Sequence, residues 1–220
     1  MKQILFPVLL LCTLLTGGCK EEEYVYPSVL TEFISVQTDE SGTIAQLVAD
    51  NGTTYAVLQR EGLDGLKADT LYRSLSIYEP VTIDATEAVS AQLYSCQLVP
   101  SPYPLPASAF KNGVKTDPVD IQSIWFSGDY LNMILLVQYK EIPHLYHFVD
   151  EGITGNTDGS HTLNLRLYHN RNNDYEAFTQ KIPLSIPLDK HLKELKAGDT
   201  IRFYLHTYKE GETYREFYIQ

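Results

Sequence analysis

The chain has 220 residues, 44% of them hydrophobic, with 17 basic and 28 acidic side chains for a net charge of −11. A chain of this length and apolar content can build its core by burial without disulfide staples, and its three cysteines are too few for a disulfide framework. Its negative charge repels phosphate backbones, which excludes nucleic acid as a partner.

Lys2 precedes an apolar stretch over residues 4–15, broken by Pro7 and Thr13. At about 12 residues it falls short of the roughly 20 that span a bilayer, and it reads as the hydrophobic region of a secretory signal peptide, residues 1–18. Leu15-Thr16-Gly17-Gly18-Cys19 follows and resembles a lipobox, because small residues ahead of a cysteine are what a lipoprotein signal peptidase accepts. Thr16 departs from the usual aliphatic residue at its place; the alternative is ordinary cleavage near Gly17 that leaves Cys19 a plain thiol. Acylation of Cys19 would bury more than one chain at about 0.8 kcal/mol per CH₂, a stable anchor that needs no transmembrane helix. With Cys12 in the leader and Cys19 lipidated, Cys96 has no partner for an intramolecular disulfide even in a compartment that permits one. Loss of Lys2 would leave the mature chain one charge more acidic than the −11 of the whole chain.

Residues 19–27 read as a lipidated tether. Lys20, Glu21, Glu22 and Glu23 resemble the acidic run that directs some lipoproteins of Gram-negative anaerobes to the cell exterior. The expected location is therefore the outer membrane with display at the cell surface, the alternative being a polar spacer facing the periplasm.

From Thr31 the pattern turns to strands. Ile34 and Val36 alternate with polar residues, residues 44–48 form a second strand, and Asp50-Asn51-Gly52 predicts a type I′ hairpin returning through residues 55–58. Residues 60–69, interrupted by Gly62 and Gly65, predict a short helix or loop. Leu71, Leu75 and Ile77 mark a fourth strand and residues 89–99 a fifth. Five strands of this kind suit a small OB-like Greek-key barrel over residues 28–100.

Pro100, Pro102, Pro104 and Pro106 lack the amide donors that a ladder needs, so residues 101–113 predict a semi-rigid linker. Beyond it, Ile124 and Phe126 alternate against Trp125, and the apolar run 133–137 suits a strand buried on both faces. Leu163, Leu165 and Leu167 point one way, with Thr162, Asn164, Arg166 and Tyr168 pointing the other way into water. Ile182, Leu184 and Ile186 keep the same period, but Pro183 and Pro187 confine that strand to a sheet edge. Asp189 predicts a cap for a short helix through Leu195, and a last hairpin turns at residues 209–212. About seven strands with turns every 8 to 12 residues predict an immunoglobulin-like antiparallel β-sandwich over residues 114–220. The fold class is all-β.

No residue set reads as catalytic or metal-binding. His144 and His147 lie three apart, which puts them on opposite faces of a strand; His161 and His169 share a face but are roughly 26 Å apart by strand rise. Asn156, Asp158 and Ser160 alternate as in a calcium loop, yet Leu167 stands where the bidentate glutamate is needed. Cys96 reads as a packing thiol within a strand. On the fourth strand Tyr72, Ser74, Ser76 and Tyr78 share a face on which Tyr72 and Tyr78 are candidate ligand-stacking residues, although tyrosine is also simply favoured in strands. No cofactor is expected.

The lipobox, the acidic first half with its Asp50-Asn51-Gly52 hairpin, the proline break, the Ile124-Trp125-Phe126 strand and the Ile186-Pro187-Leu188 strand leading to Leu195-Lys196-Ala197-Gly198-Asp199 together resemble the NigD-like lipoproteins. The resemblance covers most of the mature chain and implies an N-terminal OB-type domain followed by a C-terminal β-sandwich. The family takes its name from a bacteriocin operon, so it implies an immunity factor. The resulting expectation is a non-enzymatic binding lipoprotein whose partner is a protein or peptide such as a cationic bacteriocin; the alternative is a carbohydrate-binding or carbohydrate-processing lipoprotein, a hydrolase in the latter case.

Overall fold

A computed structural model describes residues 28–82 and 89–220. Residues 1–18, read as a signal peptide, Cys19 and the acidic run at Lys20, Glu21, Glu22 and Glu23 lie outside them.

The first five strands are β1 (Leu30–Thr38), β2 (Ile44–Val48), β3 (Thr54–Val57), β4 (Leu71–Thr82) and β5 (Val89–Leu98), and they close a barrel in the order β1-β2-β3-β5-β4. β3 and β5 run parallel, through Ala56 with Ser90 and Val57 with Ala91, while the other pairs are antiparallel. This is the Greek-key order of an OB-type barrel. Ile34, Val36, Leu47 and Leu93 are fully buried inside it. The connector after β3 forms turns rather than a helix, and Leu63 from it is buried in the barrel core with Leu66 packed alongside. These two leucines supply the apolar plug.

The hairpin between β2 and β3 differs from the expected turn type. Only Gly52 takes a positive φ, of 86°, and the Gly52 amide donates to Ala49 O at 2.9 Å. Asp50 and Asn51 therefore occupy the centre of a type I turn that Gly52 closes in the left-handed region, the second commonest hairpin solution. The Asn51 side chain accepts the Thr53 amide at 2.9 Å and holds the loop.

The remaining strands are β6 (Leu105–Pro106), β7 (Asp120–Ser127), β8 (Tyr130–Tyr139), β9 (Leu145–Gly155), β10 (His161–Asn170), β11 (Phe178–Pro187), β12 (Thr200–Thr207) and β13 (Gly211–Tyr218). They form a five-stranded sheet, β13-β12-β10-β9-β6, facing a three-stranded sheet, β11-β8-β7. Most pairs are antiparallel; β10 with β12 and β6 with β9 are parallel. Leu131, Met133, Leu135, Phe148, Leu163, Leu165 and Phe203 are fully buried between the two sheets. The outward face of β10 is only partly in water, because Thr162 and Asn164 are buried under their own hydrogen bonds.

Two expectations need correction here. The prolines of residues 101–113 predict a stretch with no ladder, but Leu105 and Pro106 pair with Val149 and Asp150, and Phe110 stacks on Tyr168 with ring centroids 4.7 Å apart. A proline loses its N–H and keeps its carbonyl, so it still accepts: Pro100 O, just ahead of the stretch, takes the Ser185 amide at 3.2 Å. The segment is thus held on the sandwich at Leu105, Pro106 and Phe110. Asp189 also fails to cap a helix; one 3-10 turn, His191–Lys193, stands there without a side-chain cap.

β11 is an edge strand, as its prolines require. Pro183 and Pro187 have no N–H to offer a neighbour, and the Ser185 amide between them is taken by Pro100. From Pro183 to Pro187 the edge offers no free amide for further pairing.

Candidate binding crevice between the two domains

The outer face of the barrel docks on the outer face of the three-stranded sheet through a buried polar clamp. Arg73, on β4, is 4% exposed and donates to both carboxylate oxygens of Asp50 at 2.6 and 2.8 Å. It also donates to Asn132 Oδ1 at 3.0 Å, which in turn accepts from Ser185 Oγ at 2.7 Å. The guanidinium lies over the Tyr130 ring, 4.0 Å from its centroid. Both Asn132 and Ser185 are fully buried, so the barrel covers the second face of β8 at Asn132, while Ile134 and Leu136 farther along it stay half-buried.

The hairpin tip that carries Asp50 meets the sandwich at Gly128. This residue starts the two-residue turn between β7 and β8 at φ 54°, a conformation that glycine takes without strain. A Cβ there would lie 2.6 Å from Asp50 O. Close approach of two backbones is what brings Asp50 within reach of Arg73.

Beside this clamp a crevice of about 580 Å³ opens between barrel and sandwich, a volume in the range of ligand sites. The barrel contributes Leu30, Glu32, Asn51, Tyr55 and Leu75, and the sandwich Trp125 and Ile134. Trp125 meets Phe33 edge-on at 5.2 Å, which fixes the wall where the domains touch. A second groove, of about 640 Å³, is also lined by Trp125, together with Phe126, Leu192 and Phe217.

Charge in the crevice is unevenly met. Asp50 is neutralised by Arg73, whereas among the described residues Glu32 has no ion-pair partner and no basic side chain lines the cavity. Glu32 accepts a short hydrogen bond from the Tyr78 hydroxyl. Burial first, and then that bond and the charge of Glu32, push the Tyr78 phenol far above its usual value, so it acts as a donor.

The ligand-stacking reading of Tyr72 and Tyr78 is overturned in its geometry. Their face of β4 is the barrel interior: Tyr78, Ser74 and Ser76 are fully buried, and Tyr72 packs on the same core with its hydroxyl accepting the Lys67 amide at 3.1 Å. Small serines can sit in a core when satisfied, and Ser74 Oγ donates to Ile34 O at 2.9 Å. The opposite face, Arg73 and Leu75, is the one that meets the sandwich. Tyr78 still reaches the crevice from below through its hydroxyl end.

The histidines pair differently from either spacing in the sequence. His144 Nδ1 lies 2.9 Å from His169 Nε2, His169 Nδ1 donates to Asp117 O at 2.8 Å, and His144 Nε2 stands 3.4 Å from Asp174 Oδ2. The partnership follows from the β9–β10 register, which sets Tyr146 opposite His169. No sequence spacing carried it. His147 instead packs edge-on against Phe110, and Asp158 holds its own turn by accepting from Ser160 at 3.0 and 2.7 Å. Cys96 is half-buried against the barrel core.

This buried cluster predicts acid sensitivity. Burial is the main cause that pushes the His169 imidazole below its ordinary 6.5, with a smaller contribution from His144, against the Asp117 carbonyl that raises it. A depressed histidine protonates first in the unfolded chain, so its contribution to stability is complete above pH 6.5 and declines as pH falls toward the folded value. Burial would raise Asp174, but the amides of Lys140, Ile142 and Glu141 outweigh it and hold the carboxyl at about 2. Its contribution persists to lower pH and is lost from 3.8 downward. Urea midpoints between pH 7.5 and 5 should fall for the wild type, and His169→Gln should flatten the curve.

Comparison with known proteins matches the family described as the NigD-like C-terminal beta sandwich domain to residues 102–219. A NigD-like immunity protein from Bacteroides caccae superposes with a TM-score of 0.69 at 34% identity, covering 88% of this chain and 94% of its own. A protein of unknown function from Bacteroides vulgatus shares the fold with a TM-score of 0.69 at 22% identity, covering 88% and 92%. No curated protein sequence matches the chain. The matched sandwich and the 34% identical relative, aligned across barrel and sandwich together, place the chain in the NigD-like family.

Proposed function

We propose that this protein is a non-enzymatic binding lipoprotein, held in the outer membrane by acylated Cys19 and displayed at the cell surface, where it intercepts a cationic bacteriocin as an immunity factor. The observation that carries this reading is the Bacteroides caccae relative described as a NigD-like immunity protein, which aligns over 94% of its length. A Bacteroides fragilis neighbour provisionally described as a lipoprotein has the same fold at 12% identity, which accords with the Leu15-Thr16-Gly17-Gly18-Cys19 reading without establishing it. The binding class is supported by the crevice. The His144–His169–Asp174 cluster has a relay-like order, but it is sealed in the core, with the His144 and Asp174 side chains 1% and 0% exposed, away from any substrate. The net charge, −11 for the whole chain and one unit more negative once Lys2 is lost, would speed encounter with a cationic partner and make association fall as salt rises.

The test is deletion of the gene followed by challenge with bacteriocins from neighbouring strains. Deletion should raise sensitivity to at least one of them, and unchanged sensitivity to all removes the immunity role. Two substitutions check the anchor and its address. Cys19→Ala should move the protein from the membrane to the soluble fraction, and alanine at Glu21, Glu22 and Glu23 together should protect it from external protease in intact cells. A second reading draws on the aromatic walls Tyr55 and Trp125, which suit stacking on a sugar ring; turnover of a glycan by the purified protein would replace binding with carbohydrate processing.

A further inference from the structure

The β1–β2 ladder stops early. β4 pairs with β1 from Leu30 to Gln37, but β2 pairs with it only from Ser35 to Thr38, ending at Ser35 with Val48. The next rungs would set Ile34, Phe33 and Glu32 against Ala49, Asp50 and Asn51. They are missing because the chain turns into the β2–β3 hairpin at Ala49–Gly52, whose tip docks Asp50 on Arg73 and Gly128. Among the described residues, no strand lies beside residues 30–34 on that side, and Leu30, Thr31 and Glu32 at its open end are exposed while Phe33 and Ile34 are buried. The crevice lies along that edge, bounded by residues 30–33 on one side and 49–51 on the other.

We infer that the crevice recognises an extended peptide segment that adds as a strand to the free edge of β1, with alternating cationic and apolar side chains. The inference rests on the binding reading above and names the site and the ligand class. Strand addition supplies main-chain hydrogen bonds for affinity, and alternate side chains supply specificity. The cationic side chain is called for by Glu32, the carboxylate in the crevice with no basic partner among the described residues, and by the rings of Tyr55 and Trp125 that line the same crevice and can attract a cation. The apolar side chains are called for by Leu30, Leu75 and Ile134. Asp50 adds no net attraction, since Arg73 already neutralises it.

Trp125 is the single tryptophan of the chain and lines the crevice, so its emission reports occupancy. The probe is a synthetic octapeptide alternating lysine and valine, titrated into the full-length protein in non-ionic detergent. Saturable change in Trp125 emission is expected, weakened roughly tenfold by Glu32→Gln, which keeps an acceptor for Tyr78 while removing the charge. A glutamate-valine octapeptide should not bind, and a lysine-valine peptide N-methylated at alternate residues should lose binding because it cannot form the ladder. Equal binding by wild type and Glu32→Gln, or by the N-methylated peptide, overturns the inference, as does absence of saturation with the lysine peptide. Trp125→Phe, which keeps a ring against Phe33, followed by calorimetry, checks that the signal is binding and not a shift of the ring. The two readings fail separately. Cells carrying Glu32→Gln that stay fully protected against a bacteriocin refute the crevice and leave immunity standing, whereas peptide binding in a protein whose deletion alters no sensitivity refutes immunity and leaves the crevice standing.

Discussion

Replacing Asp50 by alanine is expected to cost about 3–5 kcal/mol of folding free energy, because it leaves the Arg73 guanidinium buried without its counter-charge. The Arg73 side chain is 1% exposed and that of Asp50 12% exposed, so water cannot take over the lost pairing as it does at a surface ion pair. Arg73→Met combined with Asp50→Ala should cost less than Asp50→Ala alone, since removing both charges removes the unpaired one. Urea unfolding of the two single variants and the double variant gives the coupling by a double-mutant cycle. A loss below about 1 kcal/mol for Asp50→Ala would mean that the pair behaves like an exposed one. Because the clamp joins the barrel to β8 and β11, the same variant should also widen the crevice and raise the exposure of Trp125, which a red shift of its emission reads.

Phe203→Ala is expected to cost about 3–5 kcal/mol through the cavity it leaves. Phe203 is fully buried on β12, with its ring 6.4 Å from that of Phe148 between the two sheets. Tyr218, on the edge strand β13, is 67% exposed, and Tyr218→Ala should stay within about 0.5 kcal/mol of the wild type. Thermal unfolding of the pair separates burial from aromatic content. Similar losses for both would refute the core assignment of Phe203.

Much of the architecture was legible from period two alone. Ile34 and Val36, Leu163, Leu165 and Leu167, and Ile201, Phe203 and Leu205 face cores as their alternation requires, because a one-residue slip would turn a whole face to water. Pro183 and Pro187 marked an edge strand correctly, since a missing N–H is a local property. The run at residues 133–137 announced burial on both faces without saying what covers the second. The barrel covers that face at Asn132, and Ile134 and Leu136 stay half-buried.

The candidate site was less legible. Tyr72, Ser74, Ser76 and Tyr78 read as a polar outer face because serine and tyrosine hydroxyls count as polar in any pattern, whereas in the barrel their hydroxyls are satisfied internally and the face carrying Arg73 turns to the other domain. An arginine amid apolar neighbours gave no hint that its carboxylate lay 23 residues back on a hairpin tip. The prolines at 100, 102, 104 and 106 lacked donors, as read, but Pro100 accepts the Ser185 amide and Leu105 and Pro106 pair with β9.

What the sequence determined by itself is therefore what local chemistry decides: strand periods, turn positions, the edge at β11, the acidic charge and the family resemblance. The tertiary structure alone decided the Arg73–Asp50 clamp, the truncated β1–β2 ladder, the crevice beside Trp125 and the His144–His169 pair. Each of these depends on contacts between segments remote along the chain, set by register and domain docking, and no residue's own pattern records which remote partner will meet it.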